Sequence, residues 1–164
     1  MDALDIDGLQ FAFPKGWKAS KYDEWGFYRN HFLRQQDGLR AVDLVAVSSD
    51  KTAYLVEVKD YRYPNAEKPS DLPKVMAEKV LHTMAAMLPA RLNASDPNES
   101  EMARLFLEST NLKLVLHVEQ PLRRLPVVDL ADVQQKLKRL LRAVDPHVKV
   151  VSSQKMRQLP WQVT

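Results

Sequence analysis

The stretch AVDLVAVSSDKTAYLVEVKDY, residues 41–61, sets the fold. AVDLVAV (41–47) and AYLVEVKDY (53–61) are valine-rich runs of strand length around the polar turn SSDKT. Branched side chains of this kind suit the pleated surface of a sheet. Both runs are apolar on both faces apart from a few charges. That pattern describes central strands covered by helices on each side rather than an exposed hairpin.

The rest of the chain is read outward from this hairpin. Upstream, residues 1–20 hold a short apolar stretch broken by Pro14 and Gly16, an edge strand or N-terminal arm. A short helix is expected from Ser20 to about Tyr28, capped by Ser20 or Asp23. A strand around Asn30–Gln35 then leads into the Asp37-Gly38 turn. Downstream, a loop holding Pro64 and Pro69 precedes a long helix from about Asp71 to Arg91, with Pro73 in its first turn. Val75, Val80, Leu81, Met84 and Leu88 form its expected apolar stripe. A helix over about Glu99–Ser109 and a buried strand LKLVLHVEQ (112–120) follow. The amphipathic helix 131–144 turns Val133, Leu137, Leu140, Leu141 and Val144 inward, and HVKVVSS (147–153) is a last strand. Strands first, then helices alternating with strands, predict an α/β sandwich around a mixed sheet.

Composition narrows the function. The 164 residues suit one domain, with 45% apolar and 27% charged residues. No apolar run approaches the length of a membrane helix, and the acidic MDALDIDGLQF lacks the order of a secretory signal, so a cytoplasmic protein is expected. There is no cysteine, which removes disulfides, thiolate metal sites and thiol catalysis. The histidines His31, His82, His117 and His147 show no zinc-ligand spacing. Neither a phosphate-cradling glycine loop nor a serine-nucleophile elbow is present. Net charge is +3, but nine Lys/Arg face three Asp between Arg123 and Thr164. This basic third reads either as a footprint for phosphate backbones or as a solvated helix face.

Asp43, Glu57 and Lys59 carry the chemistry. Buried carboxylates must be paired or bind metal, because an unpaired one costs several kcal/mol. If the turn centres on Asp50, residues whose numbers sum to 100 face each other, which sets Asp43 opposite Glu57. Lys59 returns to the same face by the two-residue period. Carboxylates so close repel unless a cation lies between them. Mg²⁺ takes one or two carboxylates with waters and phosphate oxygens, and a neighbouring lysine supports charge on the phosphate.

Asp43, a loop, then Glu57-Val58-Lys59 on the next strand resembles the PD-(D/E)XK nuclease superfamily. The resemblance implies a restriction-endonuclease-like three-layer sandwich, a mixed central β-sheet flanked by helices. Its core would cover about residues 20–120, with a basic helix–strand extension over 123–164. It implies a Mg²⁺-dependent nuclease, with Mn²⁺ as substitute, that hydrolyses phosphodiesters in DNA. Asp43 and Glu57 would be metal ligands, the Val58 carbonyl a further ligand and Lys59 the catalytic lysine. Glu24 would match the acid many members place on the first helix, or be a solvated residue. Val42 stands where the family often has proline. Lys79, and less so Glu78, would support the site from the following helix. Arg62 and Tyr63 would contact phosphate or a base, or form the polar exit of a strand. The partners implied are nucleic acid, DNA favoured, a homodimer, or a larger defence or repair assembly, with no membrane. The alternative is a catalytically inactive member that binds nucleic acid or assembles with a partner protein, its Asp43–Glu57–Lys59 cluster structural.

Overall fold

The computed structural model describes residues 3–66 and 71–164; Pro69 of the expected loop lies outside them. Its centre is a five-stranded mixed sheet. In chain order the strands are β3 (Lys18–Lys21), β4 (Leu44–Val47), β5 (Thr52–Asp60), β6 (Asn111–Glu119) and β7 (Lys149–Val151), and they lie side by side in that order. β3, β4 and β5 form an antiparallel meander, whereas β5–β6 and β6–β7 are parallel. A parallel pair needs a crossover long enough to return the chain, and helices supply it. Those helices are α2 (Leu72–Asn93), α3 (Pro97–Leu107) and α4 (Leu130–Leu140). Each starts on an aspartate whose side chain accepts backbone amides: Asp71, Asp96 and Asp129. The sequence thus writes the helix starts in capping residues, with Pro73 and Pro97 beside two of them.

The hairpin has the register its sequence requires. Val45 pairs with Leu55 and Leu44 with Val56, so opposed residue numbers sum to 100. The Ser48 amide donates to the Thr52 carbonyl at 2.9 Å, and Lys51 takes the left-handed conformation at φ 63°. This is a three-residue connection that closes without a bulge in the strands.

The two faces of the sheet are covered differently. Ala53, Leu55, Leu114 and Leu116 pack with α2, α3 and α4 in the larger core. On the other face, Val56, Val58 and Val115 pack under a three-stranded sheet, not under helices. That sheet joins β1 (Leu4–Ile6), β2 (Leu9–Ala12) and β8 (Gln162–Val163). Phe13, Trp17, Tyr54 and Trp161 interlock beneath it, with Trp17 stacked on Tyr54 at 5.2 Å. The expectation of helices on each side is therefore corrected. Leu4–Ala12 supplies two of its strands, β1 and β2, and β8 joins them.

Four further local expectations change. Residues 18–21 are strand, followed by a 3-10 turn (Tyr22–Glu24) and a short helix α1 (Gly26–Asn30) instead of one helix over 20–28. No side chain caps either short element. The expected strand at 30–35 is helical instead, ending in a second 3-10 turn (Phe32–Arg34). The first meander strand is thus β3. In α2 the buried residues include Met76, Val80 and Met87, whereas Leu81 and Leu88 face outward. Leu140 of α4 is likewise exposed. A helix with apolar residues on two sides gives its periodicity no single phase, so the expected stripe is right at Val80 and Met84 and wrong at Leu81 and Leu88.

Candidate active site

Asp43 sits at the entrance to β4 and Glu57 near the exit of β5. Past Leu44–Val56 the register carries Asp43 opposite Glu57. The Asp43 carboxylate accepts the Val58 amide at 2.7 Å, which fastens the two strands where the ladder ends. The segment entering Asp43 is held by α2: the Val42 amide donates to Thr83 Oγ1 at 3.1 Å, and the Arg40 amide to His82 Nδ1 at 3.0 Å. The Asp43 carbonyl accepts the Tyr22 amide at 3.0 Å. Strand, helix and 3-10 turn therefore meet at this one residue.

Glu57 is buried, with 1% of its side chain exposed. Its Oε1 pairs with Lys79 Nζ at 2.5 Å and with Lys59 Nζ at 3.3 Å. Its Oε2 has no hydrogen-bond partner. The structure so unites Asp43, Glu57, Lys59 and Lys79. Glu78, one residue before Lys79, turns away to Arg40 at 3.4 Å.

Glu24 does not join them: it pairs with Lys21 at 2.6 Å near the surface. The acid that does approach is Asp23, whose Oδ1 is buried without a partner. Burial, then the charge of Asp43, pushes its carboxyl up to about 6. Asp23 was visible in the sequence only as a helix-cap candidate. With a 3-10 turn in place of an α-helix, the facing residue shifts by one. Asp43 is pushed up to about 7, first by burial and then by the Glu57 charge; the Val58 amide, Lys79 and Lys59 oppose the shift. Asp43 between Asp23 and Glu57, each of which has an orphaned buried oxygen, has the chemistry of a hard-cation site. Among the described residues, no three such groups converge closely enough to hold an ion by themselves. Waters or phosphate oxygens would complete the shell, which is how Mg²⁺ is commonly bound.

At the exit of β5, Arg62 is held by Asp60 through Nε at 3.0 Å and Nη2 at 2.7 Å. Its guanidinium lies 5.8 Å from the centre of the Tyr63 ring, which is 61% exposed. Tyr63 is thus open to solvent while Arg62 is already committed. On the opposite face of the sheet, sequence reading passed over a second polar group. Buried His117 meets Glu119 Oε1 through Nε2 at 2.8 Å, and that oxygen also accepts the Ser153 amide at 2.6 Å. A lone histidine in an apolar strand carries no spacing that would reveal this.

Fold and site together define an α/β protein with a mixed sheet flanked by helices and a carboxylate–lysine cluster where two central strands exit. No helix among the described residues is long and apolar enough to cross a membrane. No family model and no solved structure matches the chain. Among curated proteins, it is 31% identical over 151 residues to a cysteine–tRNA ligase of Neisseria meningitidis serogroup A. The match covers 74% of this chain and 22% of the ligase, so the chain spans about a fifth of that relative's length. This similarity overturns the expectation of a metal-dependent DNA nuclease: the relative is named for joining an amino acid to tRNA, not for cutting DNA. The short D…ExK spacing fits any site that gathers carboxylates and a lysine, and it does not specify hydrolysis.

Proposed function

We propose that the chain is a tRNA-ligase-related module that binds RNA phosphate through a divalent cation. Asp43 and Glu57 would hold Mg²⁺, or Mn²⁺ in its place, with waters completing the shell. Lys59 and Lys79 flank the phosphate. When bound, the ion supplies positive charge to a phosphate oxygen that two carboxylates would otherwise repel. The protein's own part is positioning: the Val58 amide orients Asp43, and Lys79 fixes Glu57 so that its second oxygen stays free. That free, buried oxygen is the observation that carries the reading. The similarity to a protein named as a cysteine–tRNA ligase supports tRNA as the polymer in this reading.

The finer architecture we assign is restriction-endonuclease-like. It is supported by the antiparallel β3–β4–β5 meander and the helical crossover to parallel β6. The PD-(D/E)XK resemblance enters as kinship of scaffold.

Calorimetry with Mg²⁺ and Mn²⁺, followed by filter binding of tRNA with and without EDTA, tests the proposal. Wild type should bind the ion and hold tRNA more tightly in its presence. Glu57→Gln should lose the ion, and Lys59→Ala should weaken tRNA about tenfold while keeping the ion. Equal tRNA binding by wild type and both variants, unaffected by EDTA, would sink it.

A further inference from the structure

Between α1, with the 3-10 turn after it, and the last turns of α2 lies a groove of about 390 Å³. That is within the range of small-molecule sites, roughly 300–1,000 Å³. One wall is aromatic: Phe27 stacks on Phe32 with ring centres 6.4 Å apart, and the His31 ring lies 6.2 Å from Phe27. The other wall is α2, where Pro89 borders the groove from inside the helix. A proline there has no amide hydrogen to give the Ala85 carbonyl, which costs the helix stability, but its ring closes the groove with a second apolar surface. At the rim stand the carboxamides of Gln35 and Asn93, both exposed and without a hydrogen bond to any described residue. We propose that this groove takes one unpaired base of the bound RNA, stacked on Phe32 and held at its edge by Gln35 and Asn93. This rests on RNA as the partner, not on the cation.

The walls select a base over other occupants. A base has a flat π face and a polar edge, and unpaired bases are recognised by aromatic stacking on the one and hydrogen bonds to the other. A carboxamide presents a donor and an acceptor together, which is how Asn and Gln match adenine. An alkyl chain or an apolar helix would bury both carboxamides and the imidazole unsatisfied, at a cost for each. Among the described residues no acid lines the groove, and the exposed Arg34 and Arg91 stand one and two residues from Gln35 and Asn93. The phosphates on either side of the base meet positive charge there. The groove is also in line with the carboxylate–lysine site. Lys79 and Asn93, two heptads apart, share one flank of α2 and are separated by about 21 Å along its axis. A few nucleotides of extended single strand span that distance, so a phosphate at Glu57 and Lys79 and a base in the groove belong to one strand.

A short oligouridylate with one central aminopurine, an adenine analogue whose fluorescence falls on stacking, tests this with the full chain in Mg²⁺. An abasic ribose–phosphate chain of the same length is the comparison. Wild type should quench the analogue and bind the base-bearing RNA about tenfold more tightly than the abasic chain. Phe32→Leu keeps an apolar side chain and removes the ring, so it should lose both the quenching and the preference. Gln35→Ala and Asn93→Ala should each weaken the preference with unchanged circular dichroism, because both residues are exposed. Equal binding of the two chains by wild type, or quenching that survives Phe32→Leu, overturns the proposal. The cation reading fails separately: it would be lost if EDTA and Glu57→Gln left binding of the abasic chain unchanged. Wild type that binds neither chain refutes both.

Discussion

Asp43 shows how a single residue records its surroundings. Its carboxyl titrates at about 7 in the folded chain and near 4 in an unfolded one. Between those values the folded state binds more protons, so stability falls as pH rises through the interval and the penalty is complete above about 7. Asp43→Asn keeps an oxygen for the Val58 amide and removes the penalty. It should raise stability at pH 8 by about 1–3 kcal/mol, discounted for the partial exposure of the site. The gain should vanish toward pH 4. Thermal melts at pH 4, 6 and 8 would show it; a variant no more stable than wild type at pH 8 would refute the burial argument. At this scale the site was partly legible. Asp43 and Glu57 could be paired by counting, because a three-residue connection fixes the register without a bulge. Asp23 could not, because whether residues 22–24 turn as α or 3-10 depends on tertiary packing of the buried Tyr22.

Among the elements, the strands declare themselves and α2 does not. β4, β5 and β6 are runs of branched residues between polar turns, and few other structures suit such runs. The 22 residues of α2 are apolar on two sides, so a stripe drawn through Leu81 and Leu88 is as good in sequence as one through Val80 and Met87. Only the sheet decides between them. Neighbouring residues should differ in what truncation costs. Met87→Ala, in the core, should cost about 2–5 kcal/mol, and Leu88→Ala within about 0.5 kcal/mol. Urea unfolding of the two variants compares them directly, and equal losses would place Leu88 in the core after all.

Across the whole molecule, the sheet is a partition between two unlike coverings. The helical side holds the carboxylates and lysines. The other side is closed by strands from both ends of the sequence, knitted by Trp161 against Phe13 and Tyr54. Trp161→Ala should cost about 3–5 kcal/mol. It should also release amide protection in β1 and β2 before β5 and β6, as expected when a region opens separately. Hydrogen exchange would read this, and simultaneous loss in all strands would show the two coverings to be one cooperative unit. This arrangement was the least legible level. Short strands such as Leu4–Ile6 and Gln162–Val163 pair only with each other's neighbours, and no local pattern tells distant segments to meet.

The nine-residue parallel ladder between β5 and β6 has a kinetic side. Pairing its strands requires closing the long connection that holds α2 and α3, and compaction of those helices shortens the span to be closed. Substitutions in the turn at 94–96 are therefore expected to change the refolding rate more than the unfolding rate, which stopped-flow measurements would read.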